Sequence, residues 1–116
     1  MSKLYFQGDV LVEEVSPTDT KSESINVDPD GSVVLARGEV TGHRHRFALE
    51  DRVTMFRDDA LAQSIPNELY LGHIKVGDKG ATLLHEEHAP ISLAKGTYRI
   101  RRQREWTAGD ARIVAD

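Results

Sequence analysis

Glycine, proline, asparagine and aspartate recur along this sequence at short, nearly regular intervals and divide it into brief apolar segments. Those segments are rich in β-branched and aromatic residues, which favours strands. No alternation of strands with long helical segments is evident, so a parallel βαβ sheet is not indicated. About eight short strands at this spacing predict an all-β fold, a small barrel or sandwich.

Size and composition support one folded unit. The chain has 116 residues, of which 39% are hydrophobic and 29% charged, which is enough for one core and too few for two. We therefore expect a single domain over residues 1–116, with a flexible loop at 16–31 and a tail at 107–116. No apolar run is long enough to span a bilayer, and no signal peptide is evident, so we expect a cytoplasmic protein without membrane contact.

Net charge and cysteine content limit the ligands and metal sites that this chain can have. A net charge of -4 does not favour binding to nucleic acid phosphates. The absence of cysteine excludes disulfides and thiolate sites, so any metal ligand must be histidine, aspartate or glutamate.

The strands are assigned from local patterns. Residues 4–8 resemble the remnant of a cleavable tag, but they run without a break into an apolar segment, so we include them in the first strand. The expected elements are one bent or two short strands at 4–15, strands at 33–36, 43–49 and 52–56, a short helical turn at 58–63, a hairpin of 68–76 and 81–84 across a turn at 77–80, strands at 91–93 and 97–106, and a helical turn in the tail.

His43 and His45 lie two residues apart on an expected strand, so their side chains point to the same side. Phe47 and Leu49 continue that face, which we therefore expect to point inward. Two imidazoles at this spacing can reach one metal ion.

A second histidine pair lies in the segment His85-Glu86-Glu87-His88. A three-residue spacing brings two side chains together on a tight bend or helical turn, and Pro90 fits a bend here. Glu86 or Glu87 could act as a general base, bind metal or orient a ligand histidine.

Three interpretations of these four histidines remain open: a shared metal site, a metal-free pocket of histidine and glutamate, or no functional site. His73, the fifth histidine, lies on the face of Leu69 and Leu71, and we favour a core position for it over membership of the site.

Several arginines crowd the last long strand. Arg102 and Arg104 share a face with Tyr98 and Ile100, and this face is expected to be inward. Inward charges need partners, so these two arginines are candidates to pair with glutamates or to bind an anionic substrate, unless the strand end is open to water. The other arginines considered, which could form a basic face for RNA or phosphate, are Arg44, Arg46, Arg99 and Arg101.

Two resemblances to known families accompany these patterns. His43-x-His45 followed by Glu50 resembles the first metal motif of the cupins, which implies a β-barrel that binds iron, manganese or another divalent ion. The second cupin motif does not occur in the expected order.

The other resemblance is broader. Four segments are similar to small uncharacterised proteins of bacteria and phages: Gln7-Gly8-Asp9-Val10, Gly38-Glu39-Val40-Thr41-Gly42-His43-Arg44-His45, His85-Glu86-Glu87-His88-Ala89-Pro90-Ile91 and Arg102-Gln103-Arg104-Glu105-Trp106. This resemblance implies no activity.

The first functional hypothesis is a divalent-metal-binding β-barrel. His43, His45, His85 and His88 would bind zinc, or iron, manganese or nickel, and metal-assisted hydrolysis is the expected reaction if the protein is an enzyme. The second hypothesis is a metal-free module that binds a small anionic ligand, nucleotide or RNA. The third is a structural or regulatory protein of phage or mobile-element origin that self-associates through its sheet.

Overall fold

The computed structural model describes residues 3–18, 24–38, 41–107 and 110–113, and in these residues it contains strands and two short 3₁₀ turns but no α-helix. The all-β prediction is therefore confirmed. The 3₁₀ turns span Leu49–Asp51 and Asp59–Leu61, the second within the helical turn expected from the sequence. The strands are β1 (Leu4–Gln7), β2 (Val10–Val15), β3 (Val33–Arg37), β4 (Arg44–Phe47), β5 (Thr54–Phe56), β6 (Tyr70–Val76), β7 (Ala81–Leu83), β8 (Ile91–Leu93), β9 (Gly96–Arg102), β10 (Arg104–Thr107) and β11 (Asp110–Ile113).

The largest sheet has five antiparallel strands in the order β1-β2-β9-β6-β5. The first two strands form a hairpin whose turn contains Gly8, with φ of 57°. Glycine adopts this left-handed conformation without the steric penalty that a Cβ atom brings. The turn places Gln7 and Asp9, both buried, at one end of the sheet.

Three strand pairs lie outside this sheet, and two of them, β3–β4 and β7–β8, lie side by side. They are joined to each other by reciprocal backbone hydrogen bonds: Arg46 N donates to Leu84 O over 3.0 Å, and Leu84 N donates to Arg46 O over 2.8 Å. The end of β7 is thereby held beside β4. The segment that follows β7, which contains His85 and His88, starts next to the strand that carries His45.

One apolar cluster receives residues from all three of these sheets. Val12 and Ile100 of the large sheet and Phe47 and Leu83 of the smaller pairs are fully buried. Burying such side chains stabilises the fold by about 1.5–3 kcal/mol each. A smaller cluster of buried residues contains Leu69 and Tyr70.

The hairpin expected from residues 68–84 is wrong. β6 pairs with β5 and β9, and β7 pairs with β8. Both edges of β6 are thus occupied, and the turn at 77–80 is a corner between sheets. Ala81 and Leu83 enter the core from the other side.

Three smaller expectations also differ. Leu49 is 61% exposed instead of inward, because the chain leaves the strand for a 3₁₀ turn after Phe47. The strand expected at 97–106 is interrupted at Gln103. The helical turn expected in the tail is wrong, since β11 pairs with β10, and a single helical turn has little stability of its own.

The loop expected at 16–31 falls partly on residues 19–23, which lie outside the described residues. Its turn at Asp28–Gly31 is confirmed by a hydrogen bond from Gly31 N to Asp28 O of 2.8 Å. Within the described chain, no helix is long and apolar enough to cross a membrane.

Candidate functional site

The imidazole rings of His43, His45, His85 and His88, here called the histidine group, lie in one place. The ring centroids of His45 and His85 are 4.4 Å apart, those of His85 and His88 are 4.6 Å apart, and those of His45 and His88 are 6.2 Å apart. His43 contacts His85 at 5.5 Å. The three rings of His45, His85 and His88 thus form a closed triangle, with His43 beside it.

Local structure explains this arrangement. His45 occupies the middle of β4 on the inward face and is fully buried, as the alternation of the strand predicts. His85 and His88 lie at the start and end of a bend between β7 and β8. The backbone bonds of Leu84 to β4 place this bend beside His45.

Gln7 joins the two histidine-bearing segments. Its side-chain nitrogen Nε2 donates to the carbonyl oxygens of Leu83 and Ala89, each over 3.0 Å. These two residues flank the bend that contains His85 and His88. The side-chain oxygen Oε1 of Gln7 lies 2.8 Å from Nδ1 of His45.

Asp9 places a buried carboxylate at the base of the group. Its Oδ1 lies 3.5 Å from Nε2 of His45, and its Oδ2 accepts a hydrogen bond from Arg102. Burial alone would raise the pKa of Asp9, but the nearby His45 ring and the charge and hydrogen bond of Arg102 together hold that pKa below its usual value. The carboxylate is therefore ionised at neutral pH.

Glu86 and Glu87 have different roles in the bend. Glu86 Oε1 accepts a hydrogen bond from the backbone N–H of Arg44 over 2.9 Å, and this bond is the main reason that the pKa of Glu86 is lowered. A carboxylate with a lowered pKa is a weaker general base, so its contact serves to fasten the bend to β4. The carboxylate of Glu87 is exposed and lies 3.3 Å from Nδ1 of His43.

The fit of a metal ion depends on the ring orientations. As they stand, no three histidine, aspartate or glutamate side chains among the described residues are arranged to hold one metal ion. Imidazoles that share a tetrahedral zinc ion, with Zn–N bonds of about 2.1 Å, have ring centroids about 5 Å apart. The separations in the histidine group, 4.4–6.2 Å, bracket this value. The ring spacing thus suits a shared ion, and the imidazole rings would have to rotate to direct their nitrogens at it.

The ring of His85 shows which rotation is needed. Its Nδ1 accepts a hydrogen bond from the backbone N–H of Glu87 over 3.0 Å, so the neutral ring carries its proton on Nε2. A ligand nitrogen must present a lone pair to the metal. His85 must therefore turn its ring or change tautomer before it can bind.

His73 and the cupin-type glutamate lie elsewhere. His73 is 2% exposed, stacks on Phe56 and contacts the Tyr70 hydroxyl at 2.7 Å, which confirms the core position expected for it. Glu50 is exposed and lines a cleft with the turn at 77–80.

Five of the arginines singled out in the sequence have acidic or polar partners in the structure. Arg44 pairs with Asp28 at 2.6 Å, Arg99 pairs with Glu13 at 2.5 Å, and Arg46 donates to Ser32. Arg101 donates to the Arg102 carbonyl. The Arg102 guanidinium binds Asp9, not Glu86 or Glu87. The side chain of Arg104 lies outside the part of the chain whose side chains are described.

The sequence assigned no site role to Gln7 and Asp9, although both lie in a segment that resembles the uncharacterised proteins. Nothing in residues 4–9 indicates that these two side chains lie beside β4, because the order of the strands in the sheets brings them there.

Comparison with known proteins gave no match among curated proteins or solved structures. A family model matches residues 6–103, a range that includes Gln7, Asp9, Arg102 and the whole histidine group. The chain therefore belongs to the family described as a domain of unknown function, DUF8820.

Proposed function

We propose that this protein binds a divalent transition-metal ion through the histidine group, with His45, His85 and His88 as ligands and Asp9 as a further oxygen donor. The observation that carries the proposal is the closed triangle of three imidazoles beside a buried carboxylate. Imidazole nitrogen with one carboxylate suits zinc, iron, nickel or copper more than magnesium or calcium.

Burial supports this proposal. His45 is 0% exposed and Asp9 is 1% exposed, so an ion held between His45 Nε2 and Asp9 Oδ1 would be shielded from water. The attraction between a cation and a carboxylate is stronger in such surroundings than at the surface.

His43 and Glu87 occupy the outer side of the group. The ring of His43 contacts the His85 corner of the triangle, and its side chain is 26% exposed. We assign it to the entrance, as a fourth ligand or a residue that guides the ion inward.

The test is metal analysis of protein prepared without a polyhistidine tag. We expect close to one zinc, nickel or cobalt ion per chain by elemental analysis and titration calorimetry, and loss of binding in the double variant His45→Ala/His85→Ala. His73→Gln is the matched control, because it changes the remaining histidine outside the group and should keep full binding. Sub-stoichiometric metal that the double variant leaves unchanged would refute the site.

A hydrolytic activity is the second proposal, and the position of Glu87 favours it. A metal-bound water is a nucleophile near neutral pH, and an exposed carboxylate at the entrance can accept its proton. Zinc-loaded protein should then hydrolyse activated ester or phosphodiester substrates, and Glu87→Gln should lower the rate without lowering metal content. Equal rates for the two proteins would exclude Glu87 as the base.

A further inference from the structure

The side-chain amide of Gln7 has an orientation that its partners determine. Both hydrogen bonds to Leu83 and Ala89 end on carbonyl oxygens, which can only accept. The amide nitrogen must therefore face these two carbonyls, and the amide oxygen must face His45. Gln7 is 2% exposed, so water does not compete for these bonds.

The fixed amide determines the tautomer of His45. Because Oε1 of Gln7 is an acceptor 2.8 Å from Nδ1 of His45, Nδ1 must carry a proton. The neutral ring then has its lone pair on Nε2, the nitrogen that lies 3.5 Å from Asp9 Oδ1. An outer hydrogen bond that fixes the tautomer of a ligand histidine is a recurrent feature of metal sites.

We propose that Gln7 is the positioning residue of this site: its amide holds the proton of His45 on Nδ1 and makes Nε2 the ligand atom. The same amide fixes both ends of the bend that contains His85 and His88. One side chain from β1 thus orients ligands on β4 and on the β7–β8 connection. This role in metal binding rests on the proposed function, whereas the tautomer of His45 is a property of the metal-free protein.

The first measurement is nitrogen NMR of the histidine rings in metal-free wild-type protein, at a pH where the rings are neutral. We expect a protonated Nδ1 and an unprotonated Nε2 for His45. A protonated Nε2 with an unprotonated Nδ1 would overturn the proposal, and this result needs no variant and no metal.

The second measurement uses Gln7→Met, which keeps the length of the side chain but removes both polar groups. The His45 resonances should shift toward the other tautomer or a mixture, while those of His73 stay unchanged and report an intact fold. Zinc affinity by calorimetry should fall about 10-fold to 100-fold. An unchanged His45 tautomer in the folded variant would refute the role of Gln7.

These outcomes separate the two proposals. If wild-type protein binds no metal, but His45 has the expected tautomer and Gln7→Met changes it, the proposed function fails and the assignment of Gln7 as the group that sets this tautomer stands. If metal binds but the tautomer is reversed, the metal site stands and Gln7 is not its positioning residue.

Discussion

Asp9 is buried and ionised, and Arg102 is the cation that compensates it. The side chain of Asp9 is 0% exposed and that of Arg102 is 20% exposed, so the pair is shielded from water on the aspartate side. Removing one partner of such a pair leaves an uncompensated buried charge, which costs far more than the loss of a surface pair.

Replacing Arg102 with methionine should therefore lower the free energy of unfolding by about 2–4 kcal/mol at neutral pH. Lys95→Met is the matched control, because Lys95 pairs with Asp78 at 2.9 Å while both side chains remain mostly exposed. Its cost should stay below about 1 kcal/mol. Urea unfolding measures both variants, and equal costs would contradict the special role of the Asp9 pair.

The buried residue His73 makes the free energy of unfolding depend on pH. Burial lowers its pKa below the usual 6.5, and the charge of Arg99 lowers this pKa further, while Asp58 opposes the shift. With a lowered native pKa, the unfolded chain binds more protons in the window just below pH 6.5. The free energy of unfolding must then fall as the pH falls through this window, and it is unaffected by His73 above it.

The variant His73→Gln should remove this component. Below about pH 6.5, the stability of wild-type protein should fall relative to that of the variant by up to about 1.4 kcal/mol per pH unit. Urea unfolding of metal-free protein between about pH 5 and pH 7.5 gives the difference in stability between wild-type protein and the variant. Both proteins contain the histidine group, so its own pH dependence cancels in this difference. Parallel stability curves over that range would show that the native pKa of His73 is not lowered.

At the scale of elements, the sequence predicted where the strands lie but not how they pair at the corner formed by residues 77–80. Local patterns located β3, β5 and β8 within a few residues, because β-branched residues and turn signals act over short distances. The predicted pairing of β7 with β6 was wrong, because strand pairing depends on which apolar faces fill the common core. The positions of Gln7 and Asp9 beside β4 could not be predicted for the same reason, since they depend on the order of the strands in the sheets.

Two glycines in this corner offer a matched test. Gly80 has φ of 71°, and a Cβ atom there would lie 2.8 Å from the carbonyl oxygen of Leu93, whereas a Cβ atom at Gly77 meets nothing within 4 Å. Gly80→Ala should cost about 1–3 kcal/mol, because the methyl group is strained and pushes against β8. Gly77→Ala should be neutral or stabilising by up to about 1 kcal/mol.

Thermal or urea unfolding of the two alanine variants compares them directly. The His85–His88 bend lies between β7 and β8, so Gly80→Ala should also weaken metal binding, while Gly77→Ala should not. A Gly80→Ala variant as stable as Gly77→Ala would show that the corner is built differently.

For the whole molecule, the histidine group connects segments that are far apart in the chain. Asp9 follows β1 of the large sheet, His45 belongs to β4, and His88 lies before β8. The sequence predicted that two histidine pairs would share a site, and their rings are in contact. It could not predict the orientations of these rings. His45 lies between the acceptor Oε1 of Gln7 and the carboxylate of Asp9, and His85 accepts a hydrogen bond from the backbone N–H of Glu87.

A ligand that binds only the folded chain raises its stability by mass action, so a bound metal should stabilise the whole molecule. At free zinc about 100-fold above its Kd, the gain is about 2.7 kcal/mol. For a chain of 116 residues, this gain corresponds to a rise in Tm of about 10 °C. Calorimetric melting with zinc and with a chelator measures the shift. Magnesium should give no shift, because it prefers all-oxygen sites, and His45→Ala should abolish the zinc effect. A zinc-induced rise that persists in His45→Ala would place the stabilising ion outside the histidine group.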